Sequence, residues 1–141
     1  MNTLNFLDAN VWLALLWSRH NRSDTARLWF EKASEEEFFF CRFTQITVLR
    51  LLTADKVMGT DTKTRAEAWA LWDRVWADTR VSFLPEPASI EKDLRSYSRL
   101  PGSSPKVWAD AYLLAFASVA GLKLVTFDRA LKAPAVDILI L

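Results

Sequence analysis

Short runs of apolar, β-favouring residues alternate along this chain with longer segments of helical periodicity. Runs of four or five such residues are typical of buried strands, whereas apolar residues spaced three and four apart indicate amphipathic helices. The alternation predicts an α/β fold with a mostly parallel sheet covered by helices on both faces. Strands are expected at 4–7, 38–41, 81–84, 123–127 and 137–141, and helices at 10–18, 23–36, 44–54, 63–79, 88–99, 105–120 and 128–132.

Two of the helical segments carry further detail. Ser104 is a suitable N-cap with Pro105 at the first helical position, and Gly121 suits the residue just past the end of that helix. In the segment 63–79, three tryptophans at i, i+3 and i+7 form one stripe, which core packing explains most simply. They are Trp69, Trp72 and Trp76.

Composition narrows the function classes. With 141 residues, 51% of them hydrophobic, and no Gly/Pro/Ser-rich linker, we expect one domain over residues 1–141. Eighteen Lys and Arg against seventeen Asp and Glu exclude a broad basic field, so any nucleic-acid contact must be local. Only three glycines occur and none forms a phosphate-binding or dinucleotide-binding motif, which argues against ATP and NAD.

The cysteine count and the N-terminal segment also indicate the cellular location. Cys41 is the single cysteine, so an internal disulfide and a Cys-x-x-Cys site are excluded. The apolar N-terminus has no basic leader, and Asp8 and Arg19 interrupt it before the roughly 20 residues that a membrane span needs. We therefore expect a cytoplasmic protein without membrane association.

Three acids are predicted to meet at one edge of the sheet. Asp8 follows the first strand, Asp128 follows the fourth, and Asp110 lies early in a helix whose first turns return to the carboxyl edge of a parallel sheet. Asp8 and Asp128 could each simply cap a following helix. Capping does not explain Asp110, which lies inside its helix beside apolar neighbours, with only Lys106 at i−4 as a partner in that helix.

Three carboxylates without His or Cys favour a hard divalent cation such as Mg²⁺, which binds oxygen ligands and substrate phosphates. Such a site can activate water for attack on a phosphodiester. Asn10 and Thr126 each lie two residues from one of these acids and could orient a carboxylate or a metal-bound water. Both could equally be turn-forming residues.

The segments FLDANVWLAL, RFTQITVLRLLT and VWADAYLLAFASVAGLKLVTFDRAL, in this order, resemble the motifs of the PIN-domain family and, within it, the VapC toxins of bacterial toxin-antitoxin modules. The resemblance implies a three-layer α/β/α fold and an endoribonuclease that depends on Mg²⁺ or Mn²⁺ and leaves 5′-phosphate and 3′-hydroxyl ends. It also implies a homodimer that is held inactive by a cognate VapB-like antitoxin. By position, Asp8, Asp110 and Asp128 match three family acids that ligate the metal and carry catalysis.

One position departs from that pattern. The family has a further acid, commonly Glu, at the start of the helix after the second strand, and Gln45 stands there in this chain. A neutral amide can still coordinate weakly or hold a water, but it removes one negative charge, so a second metal should bind more weakly. Gln45 and the seven tryptophans also motivate an alternative function, a catalytically weakened PIN scaffold that acts mainly through protein-protein binding.

Two sets of side chains are candidates for contacts with partners. A groove on the first two helices could receive an antitoxin helix, and cations near the motif ends could contact RNA. The groove residues are Trp12, Trp17 and Trp29, and the RNA candidates are Arg19, Arg42, Lys106 and Arg129. A phosphatase with an aspartyl nucleophile is disfavoured, because such enzymes need a second acid where this chain has Asn10.

Overall fold

The computed structural model describes residues 2–141 and contains a five-stranded sheet in which neighbouring strands are all parallel. The strands lie in the order β3-β2-β1-β4-β5. They comprise β1 (Leu4–Leu7), β2 (Glu37–Phe40), β3 (Val81–Phe83), β4 (Lys123–Thr126) and β5 (Asp137–Ile140). The predicted parallel α/β sheet is confirmed, and each strand lies within one residue of its expected bounds.

Helices occupy most of the segments between the strands. They are α1 (Ala9–Leu16), α2 (Ser23–Lys32), α3 (Arg42–Leu52), α4 (Asp55–Met58), α5 (Arg65–Trp76), α6 (Ile90–Ser98) and α7 (Lys106–Ala120), with a 3₁₀ turn at Gly59–Asp61. The short α4 was not predicted. The predicted helix at 128–132 is wrong, because the chain forms a turn there, closed by the Leu131 amide donating to the Asp128 carbonyl. Pro134 follows and has no amide to extend it as a helix.

Two apolar layers cover the sheet. Since successive side chains of a strand point to opposite faces, Leu7 of β1 packs with the layer of α1, α2, α3 and α5, whereas Phe6 packs with α6 and α7. Phe6 stacks on Phe116 of α7 with ring centroids 4.5 Å apart, and Phe40 of β2 contacts Trp72 at 4.8 Å on the other face. Helices therefore lie on both sides of the sheet, which gives the predicted three-layer α/β/α arrangement.

The tryptophan stripe on α5 is only partly a core element. Trp72 is fully buried, but Trp69 and Trp76 are 47% and 42% exposed. Core packing is therefore right for Trp72 and wrong for Trp69. The ring of Trp76 is partly exposed but still contacts Phe40 of β2, with centroids 5.0 Å apart.

Helix α7 is framed almost as predicted. Pro105, rather than Ser104, occupies the N-cap position, and the helix begins one residue later than expected, at Lys106. Gly121 ends it in the left-handed conformation, at φ 69°, where a residue with Cβ is disfavoured. No helix within residues 2–141 has the length and apolar character needed to cross a bilayer.

Candidate active site

The site lies where the order of the strands reverses. β1 pairs with β2 on one side and with β4 on the other, so the chain leaves these central strands in opposite directions. The carboxyl ends of strands at such a reversal leave a crevice in which α/β proteins bind ligands. Asp8 directly follows β1, and Asp128 lies two residues beyond β4. Helix α7 precedes β4 and brings Asp110 to the same edge.

Thr126 connects two of the acids. Its side chain is fully buried, its hydroxyl donates to Asp8 Oδ2 at 2.9 Å, and the same oxygen accepts the Asp128 amide at 3.1 Å. Thr126 therefore orients Asp8, and its bond with the Asp128 amide two residues later is the turn contact that the sequence equally allowed. Asp8 occupies the N-cap position of α1, but within residues 2–141 its side chain makes no capping hydrogen bond. The alternative that Asp8 is there to cap a helix is not realised.

Lys106 connects Asp128 to the third acid, Asp110. Its Nζ lies 2.7 Å from Asp128 Oδ2 and 3.1 Å from Asp110 Oδ2. The remaining Asp128 oxygen, Oδ1, accepts the Ala130 amide at 2.9 Å. The hydrogen bond from Lys106 lowers the pKa of Asp128, and the two carboxylates raise the pKa of Lys106 to about 12. A charged ammonium group thus stands between these two carboxylates at neutral pH.

Asp8 has a different electrostatic environment from its neighbours. Burial raises its pKa, and the negative charges of Asp110 and Asp128 raise it further, against the lowering effect of the Thr126 hydroxyl and the Ala9 amide. The charges of Asp110 and Asp128 thus act on Asp8, and a site shared by all three acids stays a prediction. A cation at this edge would relieve both the repulsion and the loss of hydration.

The carboxylate oxygens of the three acids are suitable ligands for a divalent cation, but the acids lie too far apart to bind one together. Carboxylate oxygens at a crevice are the ligands that Mg²⁺ and Mn²⁺ use, and two of these carboxylates already hold a cationic group. Yet in the part of the chain that the structure describes, no three acidic, histidine or cysteine side chains are grouped closely enough to hold one metal ion. Metal binding would require the acids to draw together.

Gln45 and Asn10 have environments that the sequence did not reveal. Gln45 is buried in the first turns of α3, and its Oε1 accepts a hydrogen bond from the Arg42 guanidinium. That guanidinium also lies over the ring of Phe83. The amide oxygen of Gln45 is therefore already engaged. Asn10 is exposed on the first turn of α1, and its part in orienting an acid stays a prediction.

The four cations proposed for RNA contacts are not equivalent. Lys106 is bound to the acids, and Arg42 is bound to Gln45. Arg19 forms a salt bridge with Asp61 at 3.2 Å. Arg129 is exposed and directly follows Asp128, and its contact with RNA stays a prediction.

The proposed tryptophan groove on α1 and α2 is wrong for Trp12, which is fully buried against Phe40 and Trp72. Trp17 is half-buried and donates its indole N–H to Asp61 Oδ2 at 2.8 Å. Trp29 is half-buried with its ring edge against Phe38. Apolar side chains of α1 point into the core because this helix lies directly on the sheet, so its periodicity does not mark a surface.

An exposed apolar groove exists instead between α3 and α5. We call it the α3–α5 groove, and it is lined by Ile46, Leu49, Arg50, Thr53, Arg65, Ala68 and Trp69. Ile46 is 56% exposed, and exposed apolar side chains that cluster in this way are typical of protein contacts. The alternation of apolar residues in the sequence does not separate this surface from the core.

Two contacts at the site could have been found only in part from the sequence. The spacing of Lys106 and Asp110 indicates their i,i+4 pair, but the second contact of Lys106, with Asp128, depends on the packing of α7 beside β4. Glu86, which follows β3, accepts the hydroxyl of Tyr112 at 2.9 Å, and no motif marks this pair.

Residues 6–137 match the family model described as PIN domain, and this match covers most of the chain. The chain therefore belongs to the PIN domain family. Within that family it is of the VapC type. It is 39% identical over 128 residues to the protein named Ribonuclease VapC41 from Mycobacterium tuberculosis, a match that covers 87% of this chain and 88% of the relative.

Two solved structures show the same fold. VapBC2 from Rickettsia felis, bound to a DNA fragment from its promoter, matches with a TM-score of 0.66 at 9% identity, over 97% of this chain and 98% of that chain. VapC20 from Mycobacterium tuberculosis, a toxin that cleaves the sarcin-ricin loop, matches with a TM-score of 0.61 at 20% identity, over 85% of this chain and 86% of that chain. At these identities both likenesses concern the fold alone.

Proposed function

We propose that this protein is a metal-dependent endoribonuclease toxin of the VapC type that a cognate antitoxin neutralises. The observation that carries the proposal is the pair of contacts at the strand reversal, where Thr126 binds Asp8 and the Asp128 amide while Lys106 binds Asp128 and Asp110, in a chain of the PIN domain family. The relative at 39% identity is named a ribonuclease, which supports RNA as the substrate.

The three carboxylates are the side chains that would hold Mg²⁺ or Mn²⁺. A divalent cation there supplies positive charge for an RNA phosphate and activates water for its hydrolysis. Thr126 holds Asp8 in place, and Arg129, exposed next to Asp128, attracts the phosphate backbone. Because the net charge is only +1, binding energy for RNA must come from this local arrangement and not from a general basic surface.

The test is RNA cleavage by the purified protein with Mg²⁺ or Mn²⁺, with EDTA as the metal-free arm. Asp8→Asn preserves the size of the side chain and removes one charge, and we expect it to lower the cleavage rate by at least about 100-fold, in the range found when one electrostatic group of an active site is removed. Asp137→Asn is the matched control. Asp137 lies at the start of β5, at the amino ends of the parallel strands and thus opposite the carboxyl ends that carry the proposed site. Full activity of Asp8→Asn would contradict the proposal.

We propose the cognate antitoxin as the protein partner and the α3–α5 groove as its binding surface. Apolar Ile46, Leu49 and Trp69 suit the apolar face of a helix, and the exposed Arg50 and Arg65 suit flanking carboxylates. The VapBC2 neighbour supports a partner of this class.

Substitutions in the α3–α5 groove distinguish an antitoxin-binding surface from a homodimer contact. The double variant Arg50→Glu/Arg65→Glu should lose antitoxin binding in a titration while its own mass in solution stays that of the wild type. A homodimer is also proposed, on the family resemblance. If the double variant instead changes from dimer to monomer and still binds antitoxin, the groove is the homodimer contact and its assignment to the antitoxin is wrong.

A second candidate function is a PIN scaffold that acts mainly by binding proteins. It is favoured by Gln45, which is neutral, buried and hydrogen-bonded to Arg42. Calorimetry with Mn²⁺ decides between the two functions, because a scaffold without a metal site would give no binding heat. For either function we propose a cytoplasmic location, which suits the free, buried thiol of Cys41.

A further inference from the structure

Lys106 occupies an unusual position for a surface lysine. Its ammonium group contacts one oxygen of Asp128 at 2.7 Å and one oxygen of Asp110 at 3.1 Å, two of the three proposed metal ligands. These acids come from different elements, since Asp110 lies on α7 and Asp128 follows β4. A single cationic group therefore joins the two elements at the site.

The ammonium group of Lys106 neutralises part of the negative charge that a metal ion would neutralise at this site. Without it, Asp110 and Asp128 would repel each other as unscreened negative charges. Lys106 offsets that repulsion with one charge. A divalent cation would offset it with two and would also need the same carboxylate oxygens.

Exposure makes this contact reversible. The Lys106 side chain is 67% exposed, whereas those of Asp110 and Asp128 are 28% and 29% exposed. The carboxylates are held by their elements, and the lysine reaches them from solvent along a flexible stem. Ion pairs of such exposed lysines are weak individually, so a divalent cation can displace the ammonium.

We propose that Lys106 is a resident counter-ion that holds Asp110 and Asp128 in the metal-free protein and competes with the divalent cation for them. Metal binding then requires the ammonium group to leave the two carboxylates. This inference rests on the metal site of the proposed function. It also accounts for the arrangement of Asp110 and Asp128, which each direct one oxygen at the same ammonium group.

Competition predicts two changes of opposite sign in Lys106→Met. The metal-free variant should have a lower Tm than the wild type, because the repulsion among the acids is no longer offset. Its affinity for Mn²⁺ should be three- to tenfold higher, because no ammonium has to be displaced. A lysine that only supports the fold would lower the Tm without tightening metal binding.

Calorimetry with Mn²⁺ and thermal unfolding with and without Mn²⁺ measure both changes without any RNA. Lys132→Met is the matched control, since Lys132 is exposed, lies four residues after Asp128, and its loss changes the net charge equally. We expect its Kd for Mn²⁺ to stay within twofold of the wild type. Lys106→Arg keeps the charge and should retain wild-type Tm and affinity.

The outcomes separate this inference from the function on which it rests. If the wild type binds Mn²⁺ and Lys106→Met binds it equally or more weakly, the competition is refuted and the metal site remains. The same conclusion follows if Lys132→Met tightens binding as much as Lys106→Met. If neither the wild type nor Lys106→Met binds Mn²⁺, both the competition and the proposed metal site are refuted.

Discussion

Replacing Thr126 by valine should test how the buried hydroxyl supports the acids. Valine has almost the same shape, so the variant removes two hydrogen bonds and leaves the packing of β4 intact. The hydroxyl donates to Asp8 at 2.9 Å and accepts the Asp128 amide at 3.1 Å. Both partners would have to find water or remain unpaired at the edge of the core.

The expected loss in the free energy of unfolding follows from these two hydrogen bonds. A hydrogen bond to a charged group contributes about 1.5–3 kcal/mol when buried and a neutral one about 0.5–1.5 kcal/mol, and partial access of water to Asp8 reduces the first. We expect the free energy of unfolding to fall by about 2 kcal/mol, which corresponds to a decrease in Tm of about 4–8 °C for a protein of this size.

The loss of stability in Thr126→Val should depend on pH in a defined direction. Burial places the native pKa of Asp8 above its unfolded value, so the native state binds a proton more readily and stability falls as the pH rises through that range. Loss of the Thr126 hydroxyl raises the native pKa further, because that hydrogen bond lowers it. The difference between wild type and variant is therefore largest at neutral pH and shrinks as Asp8 becomes protonated.

Urea denaturation at several pH values is the assay. Thr126→Ser retains the hydroxyl and should recover much of the stability. Thr47→Val is the matched control, since the Thr47 hydroxyl donates only to the Phe43 carbonyl of its own helix, and its loss should change stability by no more than about 0.5 kcal/mol. A deficit in Thr126→Val that equals the control, or that does not change with pH, would refute the reasoning.

Other substitutions test the core and a structural ion pair. Trp72→Ala should lower the free energy of unfolding by about 3–5 kcal/mol, because the side chain is fully buried, whereas Trp69→Ala at a half-exposed position should lower it by less than about 1 kcal/mol, as measured by chemical denaturation. Arg80→Met should lower the free energy of unfolding by about 2–3 kcal/mol. Arg80 donates to both oxygens of Asp78 and to two main-chain carbonyls at the end of α2, those of Phe30 and Ala33. Asp78→Asn should cost less and should matter less at acidic pH, because the native pKa of Asp78 is lowered and its contribution is lost as the pH falls.

The strands and the position of the acids were predictable because they depend on local pattern and on the geometry of parallel sheets. Strand β1 is a short apolar run, and the acid after it has to lie at the carboxyl edge. The same reasoning places Asp128, and the direction of α7 places Asp110. The family motifs then added the expected role of these acids.

Contacts between elements were not predictable in the same way. The partnership of Lys106 with Asp128 depends on how closely α7 packs beside β4, and the burial of Gln45 depends on where α3 sits on its layer. Trp12 and Trp69 show the same limit, since both are large apolar residues at helical spacing. One is in the core and the other is half exposed, because Trp12 packs against Phe40 of the sheet and Trp69 lines the α3–α5 groove.

The order of the strands has a consequence for how this protein is made. β1 lies in the middle of the sheet, and its partner β4 follows it in the chain only after β2 and β3. Asp8 is oriented by Thr126, 118 residues further along. A nascent or truncated chain that stops before β4 lacks Thr126 and Asp128 and leaves β1 with one neighbour. The proposed nuclease would therefore stay inactive until β4 and the turn that carries Asp128 have been translated.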